Sequence, residues 1–183
     1  MSPEAEVIPV PLIENSELIE VIEKEAAAST LVNNAQYVTD NVHKAANKMG
    51  REGSSVQLVC VSKTKPAENI QTLYDAGLRV FGENYFQELL TKAEVLPKDI
   101  KWHFIGHLQS TKAMKLVKSV PNLSVVETVD SLKLAMKLDA ACVSAKREPL
   151  KIYIQVDTSG EDTKSGVDQG ELIELVTIIT YTC

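Results

Sequence analysis

The sequence predicts an α/β protein organised on a parallel sheet, and three observations carry that expectation. Apolar runs suited to strands begin roughly every 22 to 27 residues, with one helical pattern between each pair. The first run, Val56-Gln57-Leu58-Val59-Cys60-Val61, is apolar at all but one position and reads as a strand buried on both faces. Polar residues collect in the turns that follow the strands, the edge at which open α/β sheets and barrels place their ligands. The alternation fits a doubly wound sheet and a barrel equally.

Residues 1–14 hold three prolines and no period, so residues 1–16 are expected to form a flexible arm ahead of a single domain over 17–183. From 17 to 49 the pattern is helical, with Leu31, Ala35, Val38, Val42, Ala45 and Met49 recurring at alternating spacings of four and three. Gly50 is a natural stop, and Ser29-Thr30 could cap a second helix after a break within 23–30. Strands are expected at 57–62, 78–81, 102–105, 124–127 and 151–157, the last with Ile152, Ile154 and Val156 alternating. Helices are expected from Ala67 to Gly77, over 85–95, 109–117 and 131–145, and from about Gln169 onward. The intervening turns are Gly82-Glu83-Asn84, Gly106 and the polar loop 158–168.

Composition narrows the function classes. The 183 residues suffice for one well-packed domain, and 44% apolar with 24% charged residues is ordinary for a globular protein. A net charge of −6 argues against general binding to nucleic acid or to an anionic membrane surface. No apolar run approaches the roughly 20 residues that span a bilayer, and the acidic start Met1-Ser2-Pro3-Glu4 lacks the features of a signal peptide. A cytoplasmic location is therefore expected. Cys60, Cys142 and Cys183 are far apart and include no Cys-x-x-Cys, which excludes a zinc ribbon or a disulfide framework.

The chemistry-bearing residues sit at strand ends. After the first strand comes Ser62-Lys63-Thr64-Lys65-Pro66, where Pro66 cannot continue a ladder. Alternation puts Val59, Val61 and Lys63 on one face, and Cys60 and Ser62 on the other. Burial disfavours the charged form of an amine, and a neutral lysine amine can form a Schiff base with an aldehyde or ketone. The competing reading is a lysine that reaches water or pairs with a carboxylate such as Glu83. His103 and His107 are about 13 Å apart along a strand and are not a joint metal site. No Walker loop, dinucleotide fingerprint or Gly-x-Ser-x-Gly elbow occurs. Composition alone leaves a small-molecule site and solvated capping turns both open.

Four segments occur in order: Val61-Ser62-Lys63-Thr64-Lys65-Pro66, Phe81-Gly82-Glu83-Asn84-Tyr85, Trp102-His103-Phe104-Ile105-Gly106-His107-Leu108-Gln109 and Lys164-Ser165-Gly166. Together they resemble the pyridoxal 5′-phosphate homeostasis protein family (the YggS/PROSC type), over residues from about 57 to about 176. The resemblance implies a (β/α)8 barrel of the TIM type, similar to the N-terminal domain of alanine racemase, of which about five βα units are present here. It implies that pyridoxal phosphate is held as a Schiff base on Lys63, not Lys65, with Asn84 and Ile105 lining the ring. By motif position Lys164 is implied in a secondary cofactor-handling role.

The resemblance further implies a binding protein, not an enzyme, which keeps the cofactor in homeostasis and passes it to apo-enzymes that depend on it. A monomer is expected. Two family segments that hold the phosphate, Ser-Met-Gly-Met-Ser and Arg-Ile-Gly-Thr, have no counterpart in the chain, so it reads as a C-terminally truncated member. The alternatives are a pyridoxal phosphate-dependent racemase or lyase, and a truncated form that binds nothing.

Overall fold

The computed structural model describes residues 15–161 and 165–183, with side chains from residue 19 onward. Of the arm expected over residues 1–16, residues 1–14 lie outside the described residues, and Asn15 and Ser16 are already helical. Five parallel strands, β1 (Cys60–Val61), β2 (Val80–Glu83), β3 (Lys101–Phe104), β4 (Leu123–Val129) and β5 (Lys151–Ile154), lie in the order of the chain. Helices α2 (Ala67–Asp75), α3 (Phe86–Val95), α4 (Ala113–Ser119) and α5 (Leu132–Ser144) make the four crossovers, and α6 (Leu172–Thr182) follows β5.

That strand order separates the two architectures left open above. A doubly wound sheet reverses its strand order at a switch point, which sends helices to both faces. Here every crossover steps one strand in the same direction, and right-handed crossovers then put every helix on one face. This is the winding of a (β/α) barrel, carried through five units. The core fills the space between the sheet's outer face and those helices. Phe81, Trp102, Phe104 and Val126 of the sheet meet Leu89, Leu116, Leu134 and Leu138 of the helices. Phe81 and Trp102 pack tilted at 51° with ring centroids 6.1 Å apart. On the inner face Val61 and Tyr153 are each 55% exposed among the described residues.

Several boundaries depart from expectation, each for a physical reason. The long helix α1 (Asn15–Lys48) is unbroken, and Thr30 bonds back to the Ala26 carbonyl at 2.9 Å instead of capping a new helix. Its covered side runs through Leu31, Ala35, Thr39, Val42, His43 and Ala46, while Val38 and Met49 are exposed. A stripe spaced at 3.5 residues drifts around a straight helix of 3.6, and the contact with α2 follows the helix. Strand β1 pairs over two residues only and is not buried on both faces, because it lies at the sheet edge. Strand β2 runs on through Gly82 and Glu83, which the sequence reading places in a turn, and all four of its residues are buried. Strand β4 extends to Val129. Strand β5 ends at Ile154, and Val156 instead bridges Val167 across the following loop. The helix expected over 109–117 begins as a 3-10 turn at Ser110–Lys112. Ser131, expected as the first residue of a helix, is instead the cap of α5 and accepts the Leu134 N–H at 3.4 Å.

Candidate functional site

The ladder itself sets where the expected residues fall. Val61 pairs with Gly82 and Gly82 with His103, while Glu83 pairs with Phe104. The last pairs are closed by the Ser62 N–H donating to the Gly82 carbonyl and the Ile105 N–H to the Glu83 carbonyl, each at 2.9 Å. Lys63 lies in the turn two residues past the last pair of β1, while Asn84 and Ile105 directly follow the last pair of β2 and β3 at the C-terminal edge of the sheet. The latter two belong to the inner face. A Cβ added at Gly82 would come 3.1 Å from both the Ile105 Cδ1 and the Val59 Cγ1, which places these side chains around the glycine.

The strand-end loops are packed backbone to backbone. A Cβ on Gly106 would lie 1.9 Å from the Asn84 carbonyl oxygen, so no larger residue fits there. The Thr128 hydroxyl donates to the Gly106 carbonyl at 2.5 Å, tying the β4 end to the β3 loop. The Gln155 amide donates to the Ser165 carbonyl and anchors the base of the 158–166 loop. Between these loops lies an open groove of about 410 Å³, lined by Asn84, Ile105, Gly106, His107, Thr128 and residues 155–159 and 165. The side-chain Oδ1 of Asn84 is buried at this groove and has no hydrogen-bond partner. A buried carbonyl oxygen left without a donor is costly, and a ligand donor or an ordered water would satisfy it.

Lys63 departs from expectation in one respect. It is exposed in a β-turn closed by the Lys65 N–H on the Ser62 carbonyl at 3.1 Å, not withdrawn against apolar walls. The edge position of β1 leaves no neighbouring strand to cover it. Pairing with Glu83 does not occur either. The Glu83 carboxylate points to the helix side, where it is 0% exposed and meets the Lys92 Nζ at 2.7 Å. Lys63 thus stands in the open, in the turn that follows β1. Lys164 lies outside the described residues.

The two histidines have separate carboxylates: His103 Nδ1 is 2.6 Å from Glu127 on the inner face, and His107 Nδ1 is 3.5 Å from Asp130. Among the described residues no group of three His, Cys, Asp or Glu side chains is placed to hold a metal ion. No helix among them is long and apolar enough to cross a membrane. Burial pushes the Cys60 thiol above its ordinary value. Lys92 was not singled out by sequence reasoning, yet it is a buried cation 6% exposed beneath the site. Its signal was position: it shares the core face of α3 with Leu89 and Ala93.

Five parallel strands wound in one direction, with an open groove among the loops at their C-terminal ends, define a protein of the (β/α)-barrel class. The chain belongs to the family of the alanine racemase N-terminal domain, whose model matches residues 34–182. It is similar to the pyridoxal phosphate homeostasis protein of Mus musculus, 46% identical over 154 residues, covering 80% of this chain and 56% of that protein. The protein of the same name from Vibrio alginolyticus is 41% identical, with 83% of this chain and 66% of that protein covered. Among solved structures, PipY of Synechococcus elongatus with pyridoxal phosphate bound superposes with a TM-score of 0.57 at 38% identity, over 73% of this chain and 63% of that one. The chain thus spans less than two thirds of each of these relatives.

Proposed function

We propose that the chain is a pyridoxal 5′-phosphate-binding protein of cofactor homeostasis, with Lys63 as the residue that takes the cofactor. The observation that carries this reading is the buried, unsatisfied Asn84 oxygen at the groove. An amide with an unsatisfied oxygen and a branched aliphatic side chain line the groove, and an exposed lysine stands in the turn after the neighbouring strand β1. The residues fit the aldehyde and ring portions of the cofactor. Bound there, the cofactor would supply a reactive aldehyde and an electron-withdrawing ring. Lys63 Nζ, as the free amine, would add to the aldehyde carbon, with a C=N bond replacing C=O and one water leaving. Asn84 would meet a polar group at the ring edge, and Ile105 would lie against its face. Among the described residues, no Lys or Arg lines the groove.

The role is binding and delivery to apo-enzymes, not turnover. Mutual support comes from the names of the similar proteins and from the cofactor-bound PipY structure. Titrating the chain with pyridoxal 5′-phosphate while following visible absorption and thermal unfolding tests the reading. A new absorption band and a raised Tm are expected for the native protein, since a ligand that binds only the folded state stabilises it. Lys63→Ala should lose the band. Equal absorption in that variant, or steady racemisation of added L-alanine by the native chain, contradicts the proposal.

A further inference from the structure

The turn that carries Lys63 is held from beneath by a buried ion network. Lys92 Nζ donates to the Ser62 carbonyl at 2.8 Å, to Glu83 Oε1 at 2.7 Å and to Glu88 Oε1 at 2.7 Å. Glu88 Oε1 also accepts the Thr64 N–H at 2.8 Å. The Ser62 hydroxyl donates to Glu83 Oε1 at 2.6 Å. The Ser62 carbonyl belongs to the peptide before Lys63, and the Thr64 N–H to the peptide after it. One ammonium and one carboxylate, bonded to each other, therefore grip both peptide units that flank the amine-bearing residue. A carbonyl has two lone pairs, so Ser62 can accept from Lys92 and from Lys65 together.

The backbone there is also unusual. Thr64 sits at φ 61, in the left-handed region. A β-branched residue rarely adopts that conformation, and it persists only where surrounding contacts hold it. The charge-assisted bond from Glu88 is such a contact. A network meant only to satisfy Glu83 would need neither the Thr64 bond nor the strained turn.

We infer that Lys92 and Glu88 are positioning residues for Lys63, fixing the peptides on either side of it so that its amine is presented from a fixed turn at the C-terminal end of β1. This rests on the cofactor reading above, and deepens it. Neither residue touches the groove; both act through the backbone.

The test compares the native chain with Glu88→Ala and Glu88→Gln, since Glu88 is partly exposed and its loss leaves the Lys92–Glu83 pair intact. Two quantities are read. The first is hydrogen exchange at the Thr64 amide with no aldehyde present. The second is the rate at which pyridoxal, then pyridoxal 5′-phosphate, is fixed to Lys63 by borohydride. Loss of a hydrogen bond to a charged group is expected to raise Thr64 exchange and slow fixation by about tenfold in E88A. E88Q, which keeps an oxygen acceptor, should restore both. Using pyridoxal removes any contribution from phosphate contacts. Native labelling at Lys63 with an unchanged E88A rate overturns this inference alone. A native chain that takes no label at Lys63 overturns the cofactor reading, and this inference with it.

Discussion

Replacing Lys92 with methionine isolates the energetics of the buried network. Methionine keeps most of the side-chain volume and removes the ammonium. Three bonds disappear, to Ser62, Glu83 and Glu88. Glu83, 0% exposed, would then keep only the Ser62 hydroxyl as a donor. Breaking one half of a buried pair leaves an uncompensated charge and costs about 3–5 kcal/mol. Against a typical total of about 5–15 kcal/mol that is a large share. At about 2–4 °C per kcal/mol for a chain of this size, the Tm should fall by roughly 6–20 °C. The double variant E83M/K92M removes both charges and should recover most of the loss, because apolar replacement of a buried pair is often close to neutral. Urea unfolding followed by fluorescence of Trp102, the chain's single and fully buried tryptophan, measures both variants. A K92M loss below about 1 kcal/mol, the range of exposed ion pairs, would refute the reasoning. So would a double variant no better than the single one.

Gly106→Ala should destabilise the chain by about 1–3 kcal/mol, as other overpacking changes do, and weaken pyridoxal phosphate binding. Its Cβ would be driven into the Asn84 carbonyl, and chemical unfolding with a parallel absorption titration checks both effects. The Tyr74 phenol donates to Asp99 at 2.6 Å, and that hydrogen bond, aided by Arg79, holds the Asp99 carboxyl below its ordinary value. A depressed carboxylate contributes stability above its unfolded value of about 3.9 and loses it as pH falls through the folded value. The difference in unfolding free energy between the native chain and Asp99→Asn should therefore be present at neutral pH and vanish in strong acid. Thiol labelling at mildly alkaline pH should be fastest at exposed Cys183 and slow at buried Cys142 and at Cys60, whose thiol burial pushes above its ordinary value. Mass mapping of the labelled peptides decides the order.

The βα alternation was readable in the sequence because apolar runs and helical stripes recur with their own periods. Periodicity gives the order of elements along the chain, not their neighbours in space, so barrel winding became visible only in the strand order. The end of β2 was hidden by its chemistry. Gly82-Glu83 looks like a turn, yet Glu83 is fully buried because a cation from α3 reaches it. That partner is nine residues away, and the i, i+4 pair Glu88–Lys92 reads in sequence as an ordinary surface pair. Lys63, Asn84 and Ile105 followed from motif positions, and of the three the groove is lined by Asn84 and Ile105. The exposure of Lys63 did not follow, because an apolar run cannot announce that it lies at a sheet edge. The drift of the α1 stripe away from Val38 and Met49 is likewise set by the helix it packs on.

The most direct test of the central claim is the position of the covalent mark. The chain is mixed with pyridoxal 5′-phosphate, reduced with borohydride, digested and mapped by mass spectrometry. The account predicts the mark on Lys63, with Lys65 unlabelled and no mark in Lys63→Ala. A mark on Lys65, or one spread evenly over surface lysines and unchanged in Lys63→Ala, would contradict it.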